Sequence, residues 1–415
     1  MNPTPLTAAL VALCALSALV VSVDAAVAAG LIVLLVAAVD AALARTKPRL
    51  TRGALNIVPR GVAVPLSITV LGRDIGRVRV RQPRTPDVRI EPPESVGGLR
   101  AELVALRRGR HALPDVAARR RGPLGLAAWN FKGEGSADIV VYPDVPRARR
   151  IATAVREGRF VDAGRLRRGP LGLGTEFESI REYQPDDDLR QINWAATSRA
   201  GRPMSNQFRV EQDRDVVALV DTGRLMAAPL GNHTRLDAAV DAVAAVAAVT
   251  DVLGDRCGVI AFDREIRRSI PTRRRGERAV LAAIHDLEPR PFDSDYELAF
   301  RTVRNTKRSL VIVFTDVLDH AAARSLLHAV PVLARRHAVM VVSATDRDIE
   351  TMANTSGGTA REGWERAVAI DVLATRTQVV QRLRGVAASF VEAPTDHLAE
   401  ATVREYLRLK SRARL

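Results

Sequence analysis

Two carboxylates stand where an open α/β sheet would present them to a ligand. Asp221 closes the apolar run 216–220, and Asp316 follows the run 311–315, Val-Ile-Val-Phe-Thr. Ligands of such sheets bind outside the carboxyl ends of the strands, near the point where strand order reverses. Brought together there, Asp221 and Asp316 could act as a general acid and base, or with Asp295 as a centre for phosphoryl chemistry. The chain offers little else for catalysis. It has no G-x-S-x-G elbow, no Cys and His in a nucleophile arrangement and no G-x-x-x-x-G-K-[ST] phosphate loop. Its seven histidines are scattered singly, which argues against a zinc site. Of its two cysteines, Cys14 lies in an apolar amino-terminal run and Cys257 opens a strand, so no disulfide scaffold is expected.

The elements that would position these carboxylates are legible from residue 213 onward. Strands are predicted at 216–220, 258–262, 309–314 and 338–342, with an antiparallel edge strand at 266–270. A helix is predicted from Thr234 to Gly254, its apolar face carried by Leu236, Val240, Val243, Ala247 and Val249. Further helices are predicted at 321–335, 362–384 and 400–415. This rhythm implies a mostly parallel, doubly wound α/β sheet covered on both faces.

Residues 48–145 read differently. Val64, Leu66, Ile68 and Val70 alternate with Pro65, Ser67 and Thr69, and short runs of this kind recur between Pro- and Gly-rich turns, which predicts a β-sandwich. The formal net charge of the chain is +15, and residues 45–132 carry 19 Lys and Arg against 6 Asp and Glu. These basic residues lack the aromatic interleaving of a base-stacking platform, so nucleic acid is not the expected partner. A basic surface beneath an anionic lipid leaflet is the simpler account.

Between residues 6 and 44 only Asp24 and Asp40 carry charge. A single helix of that length would reach about 58 Å, nearly twice the roughly 30 Å hydrocarbon core, so two short transmembrane helices turning near 22–24 are expected. No Lys or Arg precedes Arg45, which speaks against a signal peptide. Arg45, Lys47, Arg49 and Arg52 follow the apolar run and would hold that end in the cytoplasm. The expected layout is a transmembrane hairpin at 1–47, a β-sandwich at 48–145, a linker at 146–212 and the α/β domain at 213–415, in a multi-pass membrane protein with its large domains cytoplasmic.

Within the linker, residues 174–214 form the densest polar and aromatic segment of the chain. Asp188-Leu189-Arg190-Gln191 has the spacing of a capping box, acidic Asp186 and Asp187 precede it, and Gly201 before Pro203 supplies a stop. Glu178, Arg181, Tyr183, Asp187, Asp188, Arg190, Trp194 and Arg199 are the candidate protein-interaction residues; the competing reading is a solvated, self-paired linker. Gly169, Gly172 and Gly174 suit a flexible lead-in rather than a phosphate loop. The segment resembles the signature of the bacterial domain of unknown function 58 family, whose members usually accompany a MoxR-type AAA+ ATPase. That resemblance implies a MoxR-type ATPase as partner, acting on a client protein.

The order of elements over residues 212–393 resembles the von Willebrand factor type A fold. Full members of that fold hold Mg²⁺ with Asp-x-Ser-x-Ser on the first strand loop, a Thr on a later loop and an Asp after the fourth strand. Here Asp221-Thr222-Gly223-Arg224-Leu225 keeps the Asp but has Gly223 and Leu225 in place of the serines. By the same resemblance Ser294 matches the Thr and Asp316 the last Asp, with Arg224 able to put a cation at the metal position. Asp221, Ser294 and Asp316 therefore make a degenerate metal site in which no cofactor is expected and Mg²⁺ is the ion to test. The expected function is a non-enzymatic, membrane-anchored adaptor working with a MoxR-type ATPase in remodelling or maturing a protein complex. The alternatives are a Mg²⁺-dependent adhesion module outside the cell and a phosphate-directed hydrolase.

Overall fold

The structure is a computed structural model and describes residues 2–19, 22–53, 55–72, 75–133, 135–159, 176–184, 187, 189–209, 214–231, 233–304, 307–316, 320–355, 358–385 and 388–411. The chain divides into two units, Met1–Tyr142 and Pro143–Leu415.

The first unit holds helices α1 (Pro5–Ser17) and α2 (Val23–Ala44) and three sheets of five, four and three strands, the five-stranded one including Asn2–Pro3 ahead of α1. Ser22 caps α2, accepting the Ala25 N–H at 3.3 Å. Among the described residues α2 alone is long and apolar enough to cross a membrane, a helix of 22 residues whose most apolar 18-residue stretch has a mean hydropathy of 2.5. Of the two spanning helices expected, α2 has the length and apolarity for one, whereas α1 has 13 residues and rises about 20 Å, short of a roughly 30 Å core. Asp40, the charge that interrupts the apolar run, is buried and accepts the N–H groups of Leu124, Leu126 and Ala127 at 2.7, 2.8 and 2.9 Å. Thr4 N donates to Leu126 O at 3.0 Å, so the start of α1 and the end of α2 are tied to the same turn. A Cβ on Gly122 would fall 2.3 Å from the Asp40 carboxyl, which explains the glycine there. The strand Val64–Leu71 buries Leu66, Ile68 and Val70 against Leu99, Leu103 and Ile139, as its alternation predicts.

The second unit is built on a six-stranded sheet of β1 (Asp215–Asp221), β2 (Arg256–Phe262), β3 (Ile266–Arg274), β4 (Leu310–Phe314), β5 (Ala338–Thr345) and β6 (Ser389–Pro394). The strand order is β3-β2-β1-β4-β5-β6, parallel throughout except for β3. Strand order reverses at β1, whose β2 and β4 neighbours lie on opposite sides. Residues of β1 alternate between two cores. Val216, Ala218 and Val220 pack with helices α3 (Val145–Arg156), α5 (Arg235–Leu253), α6 (Glu277–Ile284) and α11 (Leu398–Ser411). Val217 and Leu219 pack with α7 (Tyr296–Arg304), α8 (His320–Ala334) and α10 (Ala360–Gly385), the last of which follows the short α9 (Arg347–Asn354). A capping box of Thr234 and Asp237 opens α5, and Gly254 closes it in the left-handed region at φ 77°.

Helix α3 falls in the segment read from the sequence as linker, yet Ala148, Ile151, Ala152 and Val155 belong to the core under α5. Arg147 pairs with Glu400 at 2.8 Å and so ties α3 to α11. The signature segment is an antiparallel hairpin of Glu176–Glu182 and Met204–Arg209, bridged by a 3₁₀ turn at Leu189–Gln191 and by α4 (Trp194–Ala200).

Candidate functional site

Asp221 ends β1 at the point of strand reversal and is 2% exposed. Its Oδ1 accepts from Gly223 N at 2.8 Å and from Ser294 Oγ at 2.5 Å. Its Oδ2 accepts from Tyr296 OH at 3.0 Å and from Thr315 Oγ1 at 2.6 Å. Four donors thus saturate the carboxylate. Burial raises the Asp221 pKa above its ordinary value, and the bonds from Ser294, Thr315, Gly223 and Tyr296 pull against that rise. Burial and the neighbouring Asp221 charge push the Tyr296 phenol well above its ordinary value, so it remains an O–H donor rather than a base.

Asp316, one residue after Thr315, is equally buried but serves a different partner. Its Oδ2 stands 2.6 Å from Arg235 Nη1, in a pair whose side chains are 2% and 1% exposed. Its Oδ1 accepts from Ser343 Oγ at 3.1 Å. Arg235, the first residue of α5, also reaches Asp346 at 3.1 Å. Burial lowers the Arg235 pKa while Asp316 and Asp346 raise it. Arg376 of α10 donates to Ser343 Oγ at 3.2 Å and pairs with Glu392 of β6 at 2.8 Å. Burial raises the Glu392 pKa against the opposing pull of Arg376. The result is a run of buried charges linking α5, α10 and the carboxyl ends of β4, β5 and β6.

Of the three residues read as a degenerate metal site, the structure joins Asp221 and Ser294 directly and gives Asp316 to Arg235. Arg224 does not enter the metal position; its Nε pairs with Asp293 Oδ1 at 2.5 Å on the half-exposed rim. Gly223 explains why the first loop serine is absent. A Cβ there would lie 2.2 Å from Ser294 Oγ and 2.8 Å from Phe292 O, so Ser294 occupies the space a residue-223 side chain needs. This arrangement is not preformed for Mg²⁺. The ion requires an octahedron of oxygen lone pairs at about 2.0–2.1 Å, whereas the Asp221 oxygens already accept four hydrogens and the Asp316 charge is met by a guanidinium. No group of three or more His, Cys, Asp or Glu suited to a metal occurs among the described residues. Chemically, the constellation is a clasp: Asp221 joins β1 to the loop before α7 and to the end of β4. A cleft of about 580 Å³ between α7 and α8 reaches Ser294, with Tyr296, Phe300 and Leu333 among its lining residues, but Asp221 and Asp316 do not line it.

Of the interaction residues of the signature, Arg181, Tyr183 and Asp187 meet beside the first strand of the hairpin. Arg181 Nη2 pairs with Asp187 Oδ1 at 2.6 Å, Asp187 Oδ2 accepts from Gln184 N at 2.9 Å, and Tyr183 OH donates to Asp187 O at 3.2 Å. Asp187 therefore holds the turn closed. Glu178 lies in the first strand and Arg190 in the 3₁₀ turn, their side chains outside the described residues, as is the whole of Asp188. Helix α4, which follows the 3₁₀ turn, is capped by Asn193. Its side chain accepts from Ala196 N at 2.9 Å and donates to Asn206 Oδ1 at 2.8 Å, and Gly201 ends α4 at φ 67°. Trp194 is 72% exposed and Leu189 70%, and Arg199 is also exposed. Sequence reading missed Asn193, although Asn before a short Ala-rich run is a cap signal in its own right. Arg235 was hidden for a different reason, since an Arg opening a helix ordinarily faces water.

Residues 179–384 match the family described as protein of unknown function DUF58, a span running from the hairpin to the end of α10. An uncharacterized protein of Mycobacterium tuberculosis strain H37Rv is 25% identical over 248 residues, covering 54% of this chain and 76% of that relative. Uncharacterized proteins of Mycobacterium tuberculosis strain CDC 1551 and of Mycobacterium bovis are similar to the same extent.

Proposed function

We propose that this chain is a membrane-anchored, non-enzymatic adaptor that works with a MoxR-type AAA+ ATPase in remodelling or maturing another protein complex. One observation carries the reading: the carboxylates at the point of strand reversal are used internally, Asp221 by four donors and Asp316 by Arg235. A von Willebrand factor type A-like domain so closed binds through the surface that its loops and the attached hairpin present. That hairpin displays Trp194 and Leu189 to solvent on a frame braced by its own hydrogen bonds. Exposed aromatic and arginine side chains on a rigid frame are the usual anchors of a protein interface. The ATPase itself comes from the family resemblance, with which the match over 179–384 agrees. The absence of a phosphate loop assigns any ATP-driven step to the partner. Helix α2 and the basic residues that follow it support a membrane anchor with the large units on the cytoplasmic side.

Two experiments test this reading. A reporter fused to the carboxyl terminus is expected to be active in the cytoplasm, and activity confined to the outside of the cell would overturn the topology. Purified full chain is expected to turn over no phosphate ester. A hydrolysis rate abolished by Asp221→Ala in a variant that still folds would establish the hydrolase instead.

A further inference from the structure

On the five-stranded sheet of the first unit, Arg79 and Arg119 are directly opposite across antiparallel strands, and Arg81 lies opposite Ala117. Strand alternation puts Arg79, Arg81, Arg119 and Arg121 on the face away from the buried Val78, Val80 and Ala118. With Glu94 and Asn130 they line a concavity of about 420 Å³. Like charges directly opposite on a sheet are destabilising, and carboxylates are scarce here. Glu94 bonds Arg79 at 3.2 Å, while among the described residues no ion pair involves Arg81, Arg119 or Arg121. Arg119 Nε is buried and finds no acceptor among the described residues. A guanidinium stays charged and presents a fork of N–H donors matched to phosphate oxygens. The concavity therefore lacks the charge and the acceptors that a phosphate would bring.

Its position favours a lipid as the source of that phosphate. Arg121 ends its strand next to the turn that receives both helices, where Asp40 binds Leu124, Leu126 and Ala127 and Thr4 Oγ1 donates to Gly125 O. Arg119 lies two residues, about 7 Å, along the strand from Arg121, and Arg79 one strand spacing of about 5 Å beyond. The polar layer on each side of the hydrocarbon core is about 5–7 Å thick. Once α2 enters a bilayer, the arginines start at headgroup level. We propose that this arginine-lined concavity binds the phosphate of an anionic phospholipid headgroup, an inference that rests on the membrane-anchored reading above.

The test uses the full chain reconstituted in phosphatidylcholine vesicles holding a trace of spin-labelled phosphatidylglycerol or spin-labelled phosphatidylcholine. The wild type is expected to immobilise the phosphatidylglycerol label preferentially. Arg81→Gln with Arg119→Gln is expected to weaken that preference, by up to about fivefold per arginine. Arg81→Lys with Arg119→Lys, which keeps the charge, should retain more of it than the glutamine pair and guards against a misfolded variant. A wild type with no preference, or one unchanged in the glutamine pair, would overturn the proposal. Displacement of the lipid by inorganic phosphate, but not by chloride at matched ionic strength, would make this a soluble-phosphate site and overturn the lipid assignment. Alkaline carbonate extraction of the same vesicles separates the two failures. Release of the chain refutes the membrane anchor, whereas a retained chain with no lipid preference refutes the headgroup site alone.

Discussion

Arg235→Met removes the guanidinium that stands 2.6 Å from Asp316 in a site where both side chains are almost wholly buried. Breaking a buried pair by deleting one partner costs about 3–5 kcal/mol, because the remaining charge is left uncompensated. The structure puts this site near the low end of that range. Ser343 still donates to Asp316 at 3.1 Å, with Arg376 at 3.2 Å behind it. Asp346, the second acceptor, is 14% exposed and can turn to water, and methionine fills much of the vacated volume. A loss of about 3 kcal/mol corresponds to a fall of roughly 6–12 °C in Tm for a unit of this size. Urea unfolding of the full chain in detergent, followed as a function of pH, is the assay. The deficit should be greatest near neutral pH and shrink in acid, where the stranded carboxyl takes up a proton. Adding Asp316→Asn should restore most of the loss, since a neutral group needs no counter-charge. A single variant within about 0.5 kcal/mol of wild type, or a double variant no better than the single, would refute the reasoning and leave Asp316 free for a ligand.

Other consequences follow from the same geometry. Asp221, whose pKa burial raises, contributes stability that is fully present below the ordinary 3.8 and is lost as pH rises through its raised folded value. Asp221→Asn should remove that slope from the unfolding free energy, and an unchanged slope would show that Asp221 is not its source. Gly223→Ser with Leu225→Ser introduces the serines that a type A metal loop would carry yet should bind no Mg²⁺ by titration calorimetry. It should also lose about 1–3 kcal/mol, because the new Cβ meets Ser294 Oγ at 2.2 Å; tight stoichiometric binding would contradict this. Burial pushes the Cys257 thiol up to about 12, so a maleimide should modify Cys257 only after unfolding. Rapid labelling of Cys257 in the folded chain would show that β2 opens readily.

Periodicity made most of the second unit legible: β1 and α5 run close to where their apolar patterns put them, because burial on both sheet faces writes a continuous signal. Helix α3 left a signal too, Ala148, Ile151, Ala152 and Val155 at helical spacing, but Arg147, Arg149, Arg150 and Arg156 gave the segment the look of a solvated linker. Asp40 was visible as an anomaly in an apolar run, and its purpose was not. Its three donors come from a turn more than eighty residues away, and no local pattern encodes such a partner. The closed state of the candidate site was hidden for the same reason. Missing serines can be read from residues 221–225, whereas the seating of Ser294 against Gly223 and of Arg235 against Asp316 depends on how separate loops pack.

Docking of the ATPase on the hairpin around Trp194 is central to the proposed adaptor function. The most direct measurement is affinity purification of the full chain from native membranes, comparing wild type with Trp194→Ala and Arg199→Glu combined. Trp194 is 72% exposed and Arg199 also faces solvent, so the variant's unfolding free energy should move by less than about 1 kcal/mol. A MoxR-type AAA+ ATPase is expected to accompany the wild type and to be lost or strongly depleted from the variant, with Tm nearly unchanged. Equal recovery of the ATPase with both chains, or a markedly lowered Tm with normal recovery, would contradict this docking.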